Sequence, residues 1–370
     1  MKTIIINGAN GYVASNFINK LLSKNYNVIA LVRAKHKYSP YERMEGTLSE
    51  INDGRYVNIE KLKVYSYSLL DEDFSLPEKQ LKDIFCGDVD YFHFAASLKY
   101  DLKSKDEIFR TNLGGVENSL NVFSKYANGS SRFFFISTAY SCGNISGLFE
   151  EKFYENEDIS GFRNYYEQSK RFAENIVKKH IETNHLKGHV LRLSQVVGNN
   201  KTGVTKTDYG IFDFAKRIYI LANRYPNKTV KVQVDPDSTQ NLIAVDTIVG
   251  YLTRTVEVKK VPVIMNFIAK NSVKNIHIIN GVNKLLPITI IPTQNINRTD
   301  MDALERVVAV GMSFTVGYIK TRLLFDTKNL DKVILSGRNE ANKHTVFKML
   351  KYFIDNLSEK KKSNVLTRTY

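Results

Sequence analysis

The chain has 370 residues, long enough for one large α/β domain and a smaller one beside it, and two cysteines, Cys86 and Cys142, exclude a disulfide framework. No stretch approaches the roughly 20 apolar residues of a membrane span, and 43% hydrophobic with 25% charged residues is ordinary for a globular protein. The 53 basic and 38 acidic residues leave a net charge of +15. No finger, RNP-type or basic-zipper pattern supports nucleic acid, so phosphate-rich small molecules or an acidic carrier protein are the expected anionic partners. A general bias toward Lys and Asn would account for the charge equally well. The N-terminal run Ile4-Ile5-Ile6 is broken at once by Asn7-Gly8, unlike a secretory signal, and the expected location is the cytoplasm.

Ile4 to Ile6 has no polar alternation, as expected of a buried parallel strand. It feeds into Gly8-Ala9-Asn10-Gly11-Tyr12-Val13-Ala14 and then a helical pattern of Phe17, Ile18, Leu21 and Leu22. Strand, glycine turn and helix make a dinucleotide fingerprint with the spacing G-x-x-G-x-x-A. Gly8 permits the tight turn, Gly11 lets the backbone approach a pyrophosphate, and Ala14 keeps helix and strand close. The helix N-terminus then offers N–H groups to phosphate. Asn10, Tyr12 and Val13 complete the expected cofactor loop.

The second strand, Val28 to Val32, ends in Arg33, where an acid would select the ribose hydroxyls of NAD. An arginine suits the extra phosphate of NADP, and Lys35, His36 and Lys37 add to the positive field. A third strand begins at Lys63-Val64-Tyr65, and a fourth, Tyr91 to Phe94, leads into Ala95-Ala96-Ser97. Small residues there leave room for a cofactor across the sheet edge. His93 reads as a core histidine, because no metal-type spacing accompanies it, and no metal is expected. Thr111-Asn112-Leu113-Gly114-Gly115 opens the next helical region. Phe133 to Ile136 is a fifth strand delivering Ser137 and Thr138 at its carboxyl end, where open α/β sheets place ligands. A sixth, Val190 to Leu193, ends in Ser194-Gln195-Val196-Val197-Gly198, with Ser194 and Val196 beside the expected cofactor.

Between the fifth and sixth strands, Tyr166 and Lys170 stand four apart ahead of Phe172, Ile176, Val177 and Ile181, which recur at helical spacing. They therefore share one helix face. An ammonium beside a phenol favours phenolate, which makes the phenol a usable acid and base, and Ser137 or Thr138 could bind the same substrate oxygen. After Gly198 the pattern changes. A polar loop spans 199–207, a helix 212–221, and short strands 230–234 and 241–245, with Asp246 expected to cap a helix over 247–256. The stretch 263–269 returns to the main sheet. From about residue 270 the pattern is mostly helical, with an amphipathic segment from Val346 to Leu357 and a frayed basic tail containing Lys360 to Lys362.

With these features in place, the chain resembles the extended short-chain dehydrogenase/reductases over roughly residues 1–270. Within them it looks like the thioester reductase and fatty acyl-CoA reductase branch. The carriers of that finer match are Ser137 to Gly143, Gly147-Leu148, Glu151-Lys152, Phe162-Arg163-Asn164 before Tyr165 to Lys170, Asn241 to Asp246, and Phe325-Asp326-Thr327 with Asn329-Leu330. The resemblance implies a catalytic trio of Thr138, Tyr166 and Lys170, with Ser137 as fallback, since Thr138 lies five positions before Gly143. It gives Asn112 a structural or proton-relay role. The chain departs from the pattern at Leu193, where proline is usual, and around Ser68-Leu69, where an adenine-side Asp is replaced and Leu69 is left to line the cofactor.

The expected fold is α/β: a doubly wound parallel Rossmann sheet with a smaller, mostly helical C-terminal substrate domain. Residues 1–200, with 235–270 returning, form the NADP-binding core. Residues 201–234 and 271–357 form the substrate part, and 358–370 a basic tail. The resemblance implies NADPH-dependent reduction of an acyl thioester, giving an aldehyde and then an alcohol if a second hydride follows. No carrier domain is visible, so the thioester would arrive on a separate acidic acyl carrier protein or on coenzyme A. The alternatives are a nucleotide-sugar epimerase or another reductase on the same fold, and a non-catalytic NADP-binding regulator.

Overall fold

The computed structural model describes residues 2–34, 37–145, 147–311, 323–335 and 340–366, so Lys35 and His36 lie outside the described residues. The chain divides into two units. The first comprises Met1–Ser194, Ile248–Ile268 and Leu324–Ser336; the second comprises Gln195–Thr247, Ala269–Leu323 and Gly337–Tyr370. The return to the first unit thus begins at Ile248 rather than 235, and a second return follows it.

Seven parallel strands build the first unit: β1 (Thr3–Asn7), β2 (Asn27–Val32), β3 (Leu62–Ser66), β4 (Val89–His93), β5 (Arg132–Thr138), β6 (Gly188–Leu193) and β7 (Ile264–Phe267). Their order is β7-β6-β5-β4-β1-β2-β3. Ile4, Ile5 and Ile6 are wholly buried, as the lack of alternation requires when helices cover both faces of a parallel sheet. Aromatic residues on neighbouring strands stack across the sheet, Phe92 on Phe134 at 4.4 Å and Tyr91 on Phe133 at 5.3 Å between centroids. The strand order reverses at β1, which pairs with β2 on one side and β4 on the other. The carboxyl ends of β1 and β4 therefore flank the crevice in which doubly wound sheets bind ligands.

Four helices matter for the site: α1 (Tyr12–Ser23), α2 (Pro40–Ile51), α3 (Gly115–Tyr126) and α4 (Tyr165–Thr183). α1 buries Phe17, Ile18, Leu21 and Leu22. α2 begins with a capping box in which Ser39 accepts from the Glu42 N–H and the Glu42 carboxylate accepts from the Ser39 N–H, with Pro40 in the first turn. α3 follows a π-type turn at Arg110–Gly114. α4 starts where the Asn164 side chain accepts from the Glu167 N–H at 3.0 Å, and it buries Ala173 and Val177 against the sheet.

The second unit has its own core, including Phe212, Ile218, Val230, Val282, Met349 and Leu350. Its chain beyond residue 270 is not only helical. Ile288–Thr293 is a strand paired in parallel with Lys228–Gln233. Ile288 and Ile290 are buried while Thr289 and Ile291 are exposed, a period of two that the flanking helical spacing had hidden. The helix expected from residue 247 begins at Val245, so Asp246 lies inside its first turn, where its carboxylate accepts from the Asn200 N–H at 2.9 Å. The last helix runs Lys343–Leu366, which makes Lys360 to Lys362 helical instead of a frayed tail.

Candidate active site

β1 runs straight into the glycine turn. Gly8 has φ +61, and a Cβ placed there would come within 2.8 Å of the Ala95 backbone nitrogen. Only glycine permits both that conformation and that approach. The Gly11 N–H donates to the Gly8 carbonyl at 2.8 Å and closes the turn. Gly11 is then the N-cap of α1, and no side chain caps the helix there. Asn7 braces the same corner: its Oδ1 accepts from the Phe94 N–H at 2.8 Å and the Ala95 N–H at 3.0 Å. A cradle that a single Cβ would fill, ending on a helix N-terminus, fits a dinucleotide pyrophosphate. Tyr12 and Val13 are half-buried in the first helical turn.

The other expected cofactor residues are spread around this corner. The Asn10 side chain is turned away, donating to the Arg43 carbonyl and the Thr47 hydroxyl of α2, both at 3.1 Å. Arg33 is exposed at the end of β2, and its carbonyl accepts from the Arg43 guanidinium. Leu69 is buried in the apolar core, where its side chain lies against Gly115 of α3. Ala95, Ala96 and Ser97 are half-buried. Asn112, in the π-type turn, accepts from the Ser97 N–H at 2.7 Å and donates to the Ser97 carbonyl at 3.2 Å and the Ser169 hydroxyl at 2.9 Å. Ser169 in turn donates to the Tyr166 carbonyl at 2.8 Å. Asn112 therefore ties the loop after β4 to the helix that carries the tyrosine. Ser194 is buried at the end of β6, and Val196 belongs to the second unit.

Tyr166 and Lys170 share the first two turns of α4. Lys170 is 3% exposed; its ammonium donates to the Ile136 carbonyl at 2.7 Å and lies 4.5 Å from the Phe135 ring centroid. Burial pushes this lysine down to about 7, with the Glu174 carboxylate pulling the other way. Tyr166 is half-buried one turn above it. Thr138 ends β5, where its hydroxyl donates to the Leu193 carbonyl at 3.3 Å and accepts from the Tyr140 N–H at 3.2 Å.

Ser137, one residue earlier, is committed elsewhere. Its hydroxyl donates to Glu174 at 2.5 Å, and the same carboxylate accepts from Ser141 and from the buried Arg192 guanidinium. This network engages the Ser137 hydroxyl, while the Thr138 hydroxyl is engaged by the Leu193 carbonyl and the Tyr140 N–H. His93 is a core histidine: fully buried, Nδ1 2.9 Å from the Asn7 amide, and held neutral down to about 3 by burial first and the Lys170 charge second.

Several residues that position the site gave little signal in the sequence. Arg171 donates to the Ser141 carbonyl from Nε and Nη2 and to the Glu155 carbonyl from Nη1, while Arg192 reaches the Glu150 and Lys152 carbonyls. These two buried guanidiniums fold the loop after Thr138 back onto α4. The scattered residues of the finer resemblance also meet. The Glu151 carboxylate accepts from the backbone N–H groups of Asn266, Asn329 and Leu330. Burial raises its pKa, against those three hydrogen bonds. The Asn266 amide donates to the Phe149 and Asp326 carbonyls. Among the described residues no group of His, Cys, Asp and Glu could hold a metal ion, and no helix is long and apolar enough to cross a membrane.

The model of an NAD-binding family described as male sterility protein matches residues 6–251. The large subunit of L-2-aminoadipate reductase from Eremothecium gossypii is 23% identical over 269 residues, which is 68% of this chain but 18% of that protein. The chain thus spans under a fifth of the curated relative it matches. Its fold is similar to that of the terminal R domain from the myxalamid PKS-NRPS pathway, with TM-score 0.76, 15% identity, and coverage of 96% of this chain and 91% of that one. A thiolation-reductase di-domain from an archaeal non-ribosomal peptide synthetase aligns with TM-score 0.76 and 15% identity over 97% of this chain and 76% of that one. UDP-glucuronic acid 4-epimerase from Bacillus cereus aligns with TM-score 0.67 and 17% identity over 96% and 99%.

Proposed function

This chain belongs to the NAD-binding male sterility protein family, thioester reductase-like extended short-chain dehydrogenase/reductases that use NAD(P)H, and on that premise we propose that it reduces an acyl thioester with NADPH. The observation that carries the reading is the pairing on α4 of half-buried Tyr166 with Lys170, whose ammonium is buried and held 2.7 Å from the Ile136 carbonyl. Arg33, exposed where an acid would bind the NAD ribose, supports the phosphate-bearing cofactor. Gly8, Gly11 and the α1 N-terminus would hold its pyrophosphate, with Ala95, Ala96 and Ser97 beside it.

A bound reduced nicotinamide supplies a hydride to the carbonyl carbon. Tyr166 and Thr138, whose hydroxyl turns its one proton from the Leu193 carbonyl, hydrogen-bond the carbonyl oxygen, where negative charge grows, and Tyr166 gives it a proton. Lys170 stabilises the phenolate left behind. The carbon–sulfur bond then breaks as the oxygen returns its proton to Tyr166, the departing sulfur takes a proton from solvent, and a thiol and an aldehyde leave. The fold likeness to R domains of carrier-dependent synthetases, together with the +15 charge, supports a thioester on an acidic carrier protein.

The test is purified protein with NADPH and an acyl-pantetheine or acyl-carrier thioester. One thiol released per NADPH consumed is expected where reduction ends at the aldehyde, and one per two where it continues to the alcohol. No consumption across acyl lengths would overturn the reading. A second reading, nucleotide-sugar epimerisation, is favoured by the fold likeness to UDP-glucuronic acid 4-epimerase. Conversion of a UDP-sugar without net cofactor consumption would establish it instead.

A further inference from the structure

β3 ends at Ser66, and the next residue, Tyr67, still hydrogen-bonds to β2 through its N–H and the Val32 carbonyl at 3.3 Å. Its side chain turns inward. The residue is 6% exposed, and its ring stands edge-on to Phe74 at 5.6 Å. The phenol oxygen lies 3.3 Å from the backbone nitrogen of Gly8 and accepts its hydrogen. A side chain that follows an edge strand thus crosses to the first glycine of the turn, 59 residues away in sequence.

A tyrosine hydroxyl carries one proton to donate as well as lone pairs to accept with. Here the accepting side is used by Gly8, and no described residue accepts the Tyr67 proton. Burial pushes the phenol up to about 12, so the proton stays on the oxygen throughout the working pH range. A buried hydroxyl whose hydrogen no described residue accepts carries a cost that a partner in the crevice would relieve. The charge of Arg33, expected beside the cofactor's extra phosphate, also reaches this phenol.

We propose that Tyr67 is a further cofactor-binding residue, donating from its hydroxyl to a phosphate or ribose oxygen of the adenosine half of the dinucleotide while it holds the Gly8 N–H. Nothing in the sequence motif marks it, because its partner is a backbone group set by the sheet. The inference rests on dinucleotide binding at the glycine turn and stands whatever the substrate.

The test compares the full chain with Tyr67→Phe, which removes only the oxygen, and with Tyr65→Phe as control. Dissociation constants are measured by calorimetry for whichever of NADPH and NADH the parent binds, for ADP and for nicotinamide mononucleotide. Tyr67→Phe is expected to weaken the dinucleotide and ADP together by roughly 5- to 20-fold, the scale of one hydrogen bond to a charged or polar partner. Nicotinamide mononucleotide binding stays at the parental value, the thermal midpoint of the free protein falls only by what loss of the acceptor for the Gly8 N–H costs, and all constants for Tyr65→Phe stay parental. Parental affinity of Tyr67→Phe for the dinucleotide would overturn the proposal. So would equal losses for all three ligands, since those mark a structural role.

Discussion

Lys170, proposed to support Tyr166, is held in its buried place at the expense of stability. Its ammonium has a carbonyl, an aromatic face and a carboxylate nearby, yet burial still holds it near 7. In the unfolded chain the same lysine keeps its proton to about 10.4. Between these values the unfolded state binds the extra proton, so stability rises with pH across that window, by up to about 1.4 kcal/mol per pH unit. Denaturant midpoints at several pH values should show this rise in the cofactor-free protein, and Lys170→Met should abolish it while also abolishing turnover. Tyr166 is proposed to act on substrate, and its removal should read differently. Tyr166→Phe is expected to lower kcat by about 10²- to 10⁴-fold, the usual contribution of a positioned acid or base. Cofactor affinity should change by less than about twofold. An unchanged kcat would assign the acid to another group.

At the scale of elements, the ends of β5 and α4 are joined by buried charge. Glu174 accepts from Ser137, Ser141 and Arg192, and Arg192 has no exposure at all. Glu174→Ala would leave that guanidinium without its carboxylate, so a loss of about 3–5 kcal/mol is expected by chemical denaturation. Gly8→Ala would force a Cβ within 2.8 Å of the Ala95 backbone at φ +61. Dinucleotide binding should be lost in titrations even where the protein still folds.

These two sites differ in how far the sequence revealed them. Gly8, Gly11, Tyr166 and Lys170 were legible because each pair is local, and a strand, a turn or one helix face fixes its geometry. The apolar runs at Ile4 to Ile6 and Phe133 to Ile136 announced buried parallel strands for the same reason. Glu174 and Arg192 are 18 residues apart and meet across a helix–strand interface, while Glu151 and the Asn329 amide are 178 apart. No local period encodes such pairs. Thr138 was preferred to Ser137 in sequence by its spacing from Gly143, whereas the engagement of Ser137 by Glu174 left no mark there. The strand Ile288–Thr293 was missed because its period of two covers only six residues between segments of helical spacing.

For the whole molecule, charge is unevenly divided between the two units. The second carries 22 basic against 11 acidic residues, an excess of 11 out of the chain's +15. An acidic carrier should therefore bind with strong salt dependence, because exposed charges are screened beyond a Debye length of about 10 Å at 0.1 M salt. Lys201→Glu with Lys348→Glu, both exposed in the second unit, should raise KM for a carrier-bound substrate several-fold and leave that for a short acyl-pantetheine unchanged. Equal effects on both would exclude a carrier protein as the partner of this face. Where the hydride goes decides most directly between thioester reduction and epimerisation. Reduced NADP carrying deuterium at the transferable position, incubated with the enzyme and an acyl thioester, should yield aldehyde or alcohol with deuterium on the former carbonyl carbon, as read by mass spectrometry. Product without deuterium, or deuterium retained by the cofactor while a sugar nucleotide is converted, would contradict it.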